Sequence, residues 1–337
     1  QAKTLFPYTT LFRSWRAPPR TACSTNHWPD AAPGPTTIED KTMTTPRPFA
    51  QVDVFTATPY LGNPLAVVLD GSGLSTEDMH RFTAWTNLSE CTFVLPPTPD
   101  ERAAGADYRV RIFCPGRELP FAGHPTLGTC HAWLAHDGQP QHPDRVVQAC
   151  GAGLVSIRRT GSHGGTPRLA FAAPPLRREG PLDEADVAHI ARGLGVARTD
   201  IVAHAWCDNG PGWRAVMLNH AEQVQALQPD PAVLNGWDVG VVGRHAIPPD
   251  AAGDTPLLEV RAFFPGNQGL MEDPVTGSLN AALAQWLIPA GLAPAHYVAA
   301  QGHCLHRAGR VHIDRDADGT VWVGGASVTC ITGTVQL

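Results

Sequence analysis

The sequence is poor in charge and contains no long apolar run. Of its 337 residues, 17% are charged and 43% hydrophobic. No apolar stretch approaches the ~18 residues needed to cross a bilayer, so no membrane-spanning helix and no membrane partner is expected. No basic patch with interleaved aromatics occurs and the formal net charge is −6, which argues against a nucleic-acid partner. The eight cysteines form no Cys-x-x-Cys pair and no framework spacing, as fits reduced thiols in a cytoplasmic protein. His-Glu-x-x-His is missing, and His131 and His136 stand five apart, off the spacing of one helix face, so no metal site is expected.

Residues 1–45 lack apolar period, a capped helix and the apolar centre of a signal peptide. Their Leu5–Ser14 stretch resembles translated adapter sequence, with Met43 as the expected start, and this extension is expected to be disordered or artefactual.

What the rest does contain is a motif written twice. Val110-Arg-Ile-Phe-Cys-Pro-Gly116 leads into Glu118 and Phe121-Ala-Gly-His-Pro-Thr126; Val260-Arg-Ala-Phe-Phe-Pro-Gly266 leads into Glu272-Asp-Pro-Val-Thr-Gly-Ser278. An apolar helix follows each. Superposing Gly128 on Gly277 places His124 on Asp273, and Ala66-Val-Val-Leu-Asp70 falls on Ala215-Val-Met-Leu-Asn219 at the same offset, which reads as a duplication. His124 before Pro125 and Asp273 before Pro274 suit helix caps. If the copies face each other, two helix N-termini with free N–H groups share one cleft, a setting for a carboxylate or an enolate-like anion.

Strands are expected over Gln51–Phe55, Leu65–Leu69, Arg145–Ile157, Arg168–Phe171, Ile201–Trp206, Trp213–Leu218 and three tail segments, Arg310–Ile313, Val321–Gly324 and Ser327–Val335. Ser75 and Asp183 mark helix starts, and a further helix covers Ala221–Leu227. Asn87–Leu95 begins polar and ends as a strand with Glu90 at its mouth. The pattern is α+β, two pseudo-symmetric domains, each a curved sheet or half-barrel around a central apolar helix. The halves are set at 46–163 and 164–337, with the last strand free to return to the first.

Asp53-Val-Phe, Gly62-Asn-Pro64, Asn87-Leu-Ser-Glu90, Phe121-Ala-Gly-His-Pro-Thr126, Glu272-Asp-Pro-Val-Thr-Gly-Ser278 and Gln301-Gly302 to Arg307 together resemble the PhzF-like isomerases of phenazine biosynthesis, which share the diaminopimelate epimerase fold. The resemblance implies a cofactor-independent isomerase, usually a homodimer, acting on a small carboxylate-bearing metabolite. It makes Glu90 the acid/base and His124, Asp273, Ser278, Gly123 and Gly277 the substrate-holding groups.

Each residue has a plainer role open to it. Glu90 would serve as an ordinary strand-start carboxylate were it not for the motif; a base that takes a proton from carbon needs a raised pKa, which burial near Trp85, Phe93 and Val94 would supply. His124 and Asp273 could simply cap helices, and Ser278 and Thr129 could be first-turn hydroxyls. Glu90 projects onto Val239, so no twin carboxylate is expected in the second half. Cys130, inside the first helix, projects onto Leu279, and neither helix mouth carries a cysteine, which disfavours the two-thiol racemase chemistry of related epimerases. Cys91 reads as a small core residue. The alternatives are a racemase or epimerase in which Glu90 works with His124 or Asp273, and a non-catalytic ligand- or partner-binding protein. Substrate choice is expected to lie in loops near Arg117, Asn209, Trp213 and Asn267.

Overall fold

The computed structural model describes residues 45–163, 166–246, 253–266 and 269–337; the expectations for residues 1–44 and for Asn267 lie outside them. The chain runs β1 (Pro46–Val54), β2 (Asn63–Val68), α1 (Thr76–Thr86), β3 (Cys91–Leu95), α2 (Pro99–Ala103), β4 (Tyr108–Cys114), β5 (Arg117–Leu119), α3 (Gly123–Ala135), β6 (Arg145–Cys150), β7 (Gly153–His163) and β8 (Thr166–Ala172). It continues α4 (Glu184–Leu194), β9 (Ile201–Trp206), β10 (Arg214–His220), α5 (Ala221–Ala226), α6 (Pro231–Leu234), β11 (Val239–Arg244), β12 (Leu258–Gly266), β13 (Gly269–Glu272), α7 (Gly277–Leu287), β14 (His296–Gln301), β15 (Gly309–Arg315), β16 (Val321–Gly325) and β17 (Ser327–Gln336).

Local chemistry fixes several boundaries. The Ser75 hydroxyl accepts from the Asp78 amide to start α1, and Asp183 does the same from Asp186 to start α4. Gly195, in the left-handed region, ends α4. The expected strand over Arg145–Ile157 is instead a hairpin, β6 and β7, turning at Gly151-Ala152.

The ladders form one series, β17-β1-β2-β3-β4-β6-β7-β8-β16-β15-β14-β12-β11-β10-β9, with β5 on β4 and β13 on β12. Its two arms match. Parallel β2/β3, antiparallel β3/β4 and parallel β4/β6 correspond to parallel β10/β11, antiparallel β11/β12 and parallel β12/β14. The arms meet at the β8–β16 seam.

Helices α3 and α7 are the centres of the arms. They are apolar nearly all round and buried accordingly, with Leu127, Cys130, Leu279, Leu283 and Leu287 at 0–1% exposure. Each such leucine contributes roughly 1.5–3 kcal/mol of burial.

The structure corrects the register of the repeat. Arg111 forks Glu118, and Arg261 forks Glu272, each through two hydrogen bonds of 2.6–3.0 Å. These twin pairs align Arg111 with Arg261 and Glu118 with Glu272, and the helices then start together at Gly123 and Gly277. Glu118-Leu-Pro-Phe-Ala-Gly-His124 therefore matches Glu272-Asp-Pro-Val-Thr-Gly-Ser278. His124 corresponds to Ser278, and superposing Gly128 on Gly277 was five residues out of step in the helices. The two apolar helices look alike along most of their length, so composition alone does not fix their register.

Candidate active site

The mouths of α3 and α7 touch. A Cβ added to Gly123 would lie 3.0 Å from the Gly277 Cα and 2.9 Å from the Phe171 ring, and one added to Gly277 would lie 3.1 Å from the Gly123 Cα. Only glycine lets the two backbones approach so closely. The first amide of α3 to bond within the helix is Thr126, to Ala122 O, and that of α7 is Asn280, to Thr276 O. The Gly123, His124, Gly277 and Ser278 amides precede these bonds, so both positive helix ends converge on one place.

Glu90 immediately precedes β3, and the alternation of that strand decides where it points. Cys91 and Phe93 belong to an outer apolar cluster, while Val94 packs in the main core and the Thr92 hydroxyl accepts from Thr129 of α3. Glu90 has the inward parity of Thr92 and Val94, and its Oε2 lies 3.4 Å from Nε2 of His124. Both atoms are fully buried and neither has a hydrogen-bond partner. The rest of the Glu90 side chain retains 18% exposure.

Asn63, from the Gly62-Asn-Pro64 turn, ties the arms together. Its Nδ2 donates to Val275 O at 2.9 Å and Asp273 Oδ1 at 3.0 Å, and faces His124 Nδ1 at 3.3 Å. The two Asn63 hydrogens go to Val275 O and Asp273 Oδ1, so the His124 Nδ1 contact at 3.3 Å does not by itself set which ring nitrogen carries the proton. Asp273 also accepts from the Thr276 hydroxyl at 2.6 Å. Gln301 holds this loop from below. Its Oε1 accepts from the Thr276 amide and Asn280, and its Nε2 donates to Asp273 O and Thr276 Oγ1.

Ser278 faces the loop between β9 and β10. Asn209 donates to its carbonyl at 2.8 Å, and the Trp213 indole donates to its hydroxyl oxygen at 3.1 Å. The Ser278 hydroxyl hydrogen is thereby left for another acceptor. Of the residues singled out in the sequence, Gly123, Gly277, Glu90, His124 and Asp273 form one connected group, with Ser278 next to Gly277.

Burial sets the charge states. Desolvation raises the Glu90 carboxyl above its ordinary 4.5, although Ser89 and Arg117 oppose it. It pushes Asp273 up to about 6, against the pull of His124 and with the help of Glu90, and it pushes His124 down to about 4. The imidazole is therefore neutral at physiological pH. Buried carboxyls poised toward neutrality beside a neutral imidazole suit proton transfer to and from carbon.

Four expectations are corrected. Neither His124 nor Asp273 caps its helix: the caps are Ala122 and Thr276, with His124 inside the first turn. Trp85 does not shelter Glu90; it is 80% exposed and lines an apolar depression with Phe49, Phe82 and Leu88. Val239 is not the counterpart of Glu90. Cys91 opens β3 opposite Phe113, and Val239 opens β11 opposite Phe263; with Phe113 matched to Phe263, Glu90 falls on Asp238. Cys91 is buried as expected, with its thiol pushed up to about 11.

Among the described residues, no group of three or more His, Cys, Asp or Glu side chains could hold a metal ion, and no helix is long and apolar enough to cross a membrane. No lysine occurs from residue 45 onward, so Schiff-base chemistry has no residue there to carry it.

Two half-barrel arms closing on paired helix mouths, with buried carboxyl and imidazole groups between them, define a diaminopimelate epimerase-like fold and an enzyme of the isomerase class. The chain belongs to the phenazine biosynthesis-like (PhzF) family, whose model matches residues 52–333. It is 32% identical over 300 residues to antisense-enhancing sequence 1 of Schizosaccharomyces pombe, covering 85% of this chain and 97% of that one. It is 33% identical over 242 residues to trans-2,3-dihydro-3-hydroxyanthranilate isomerase of Pseudomonas aeruginosa, covering 70% and 78%. A PhzF-family crystal structure from Bacillus anthracis superposes with a TM-score of 0.69 at 22% identity, covering 87% of this chain and all of that one.

Proposed function

We propose that this enzyme is a cofactor-independent isomerase that moves a proton, and with it a double bond, in a small carboxylate-bearing metabolite. Glu90 takes the proton from carbon and returns it at another position. His124, held neutral by burial, faces the Glu90 carboxyl across 3.4 Å. The Gly123 and Gly277 amides and the Ser278 hydroxyl hold the substrate carboxylate and the delocalised anion, and Asp273 holds a polar group beside them. The observation that carries this reading is the unpartnered, buried Glu90–His124 pair at the junction of two helix N-termini. Cytoplasmic location, which rests on the scattered unpaired cysteines, and a homodimer, which rests on the family resemblance, belong to the same reading.

The test uses trans-2,3-dihydro-3-hydroxyanthranilate, the substrate named for the Pseudomonas relative, in D2O. Absorbance and NMR follow wild type and Glu90→Gln. Conversion with deuterium incorporation, reduced at least ~100-fold in Glu90→Gln, is the expected result. If wild type leaves the compound unchanged, that substrate is dropped; if Glu90→Gln retains full activity, Glu90 is not the base. A product of unchanged constitution with one inverted centre would select an epimerase with Asp273, held near pH 6, as second base.

A further inference from the structure

Two of the positions where substrate choice is expected, Asn209 and Trp213, close on Ser278 from the loop between β9 and β10. That loop is tightly bonded within itself. The Asp208 carboxylate accepts from the Gly210 amide at 2.8 Å and from the Gly212 amide at 2.9 Å, and Trp213 O accepts from the Cys207 amide at 2.9 Å. Trp213 is buried and packs in the main core, which holds its indole in place. The first arm repeats the device. His124, the counterpart of Ser278, is met at 3.3 Å by Asn63 from the turn leading into β2, as Ser278 is met from the turn leading into β10.

An indole N–H donates and cannot accept, so in the Trp213 contact at 3.1 Å the serine oxygen is the acceptor. The hydroxyl keeps its one hydrogen to give. A helical serine readily turns that hydrogen back onto a carbonyl three or four residues earlier. Here Val275 O, three residues back, already accepts from Asn63 at 2.9 Å, and the Ser278 carbonyl itself accepts from Asn209 at 2.8 Å. Among the described residues the Ser278 hydroxyl donates to none, which leaves its hydrogen for a ligand at the helix mouth.

Resting on the carboxylate-site reading above, we propose that Trp213 is a positioning residue whose indole N–H fixes the Ser278 oxygen, so that the hydroxyl serves as a dedicated donor to an anionic oxygen of the substrate. The grip of the second arm then depends on an indole that acts only through Ser278. Without that N–H the hydroxyl rotates freely, and a preorganised donor becomes one that must be ordered on binding.

Calorimetric titration with cyclohexanecarboxylate tests this without turnover, in wild type, Trp213→Phe, Ser278→Ala and the double variant. Trp213→Phe keeps an aromatic ring and loses the N–H, and should weaken binding about three- to tenfold. Ser278→Ala should weaken it at least as much, and in that background Trp213→Phe should cost nothing more. A general loosening of the mouth would instead weaken binding equally in both backgrounds; that result overturns the proposal, as does full affinity in Trp213→Phe. Benzothienylalanine placed at position 213 keeps both rings and lacks only the N–H, so it repeats the cycle with the core filled and should show the same loss; wild-type affinity there also overturns the proposal. Failure of wild type to bind the probe, or full affinity in Ser278→Ala, overturns the carboxylate site as drawn, and this inference falls with it.

Discussion

Nε2 of His124 and Oε2 of Glu90 face each other at 3.4 Å, both buried and both without another partner. Burial holds the imidazole neutral and raises the Glu90 carboxyl, so neither group brings the other a compensating charge.

The first consequence is the pH profile. A base must be ionised to act, so kcat/KM should fall as pH drops through an apparent value above the ordinary glutamate 4.5. His124, pushed down to about 4, should contribute no limb near 6.5. A limb at 6.5 that disappears in His124→Asn would contradict the neutral imidazole.

Stability should respond to pH through Asp273. Its folded-state pKa is raised from 3.8 to about 6, so ionisation costs stability that is intact below 3.8 and lost as pH rises through 6, on the order of 3 kcal/mol. His124 works the other way: lowered from 6.5 to about 4, it costs stability as pH falls from 6.5 toward 4. Asp273→Asn removes the first effect and, with it, the pull that Asp273 exerts on His124. Its melting temperature relative to wild type should therefore climb between pH 4 and pH 6.5, and a constant difference would show that the carboxyl is not desolvated.

Gly123→Ala should separate the helix mouths, because the new methyl group meets the Gly277 backbone at 3.0 Å and backbone cannot swing aside. The expected cost is about 1–3 kcal/mol in denaturant unfolding. Activity should fall by tenfold or more, and wild-type activity in this variant would remove the paired mouths from the mechanism.

The twin arginine forks should differ in worth. Arg261 and Glu272 are 6% and 11% exposed, whereas Arg111 and Glu118 are 21% and 39% exposed. Glu272→Gln strands a buried guanidinium and should cost roughly 3–5 kcal/mol. Glu118→Gln should cost about 1 kcal/mol or less, since water screens that pair. Equal costs in urea titrations would show that burial does not set the difference.

Much of this was legible in the residues. Ser75 and Asp183 announce their helices because capping is decided within four residues, and the two apolar helices declare themselves by lacking a polar face. Glu90, His124 and Asp273 stand in motifs whose chemistry is unusual enough to notice. Strands β11 and β14 were not anticipated: each is a short run between turns that pairs parallel with an earlier strand across a helical crossover. Asn63 carries no sign of its bridging role, which depends on a contact with residues more than 200 positions away. Asp238 was missed for the same reason. Trp237-Asp-Val239 does not resemble Ser89-Glu-Cys91, and only the pairing of β11 with β12 brings the two into register.

Thr45 and Leu337 exchange backbone hydrogen bonds, and β1 pairs with β17 from Pro46 to Val54. On a ribosome β1, made early, must wait with one edge unpaired until β17 has emerged. The first arm therefore completes its sheet after the second arm is already synthesised, and the long closure implies slow folding and an exposed strand edge during translation.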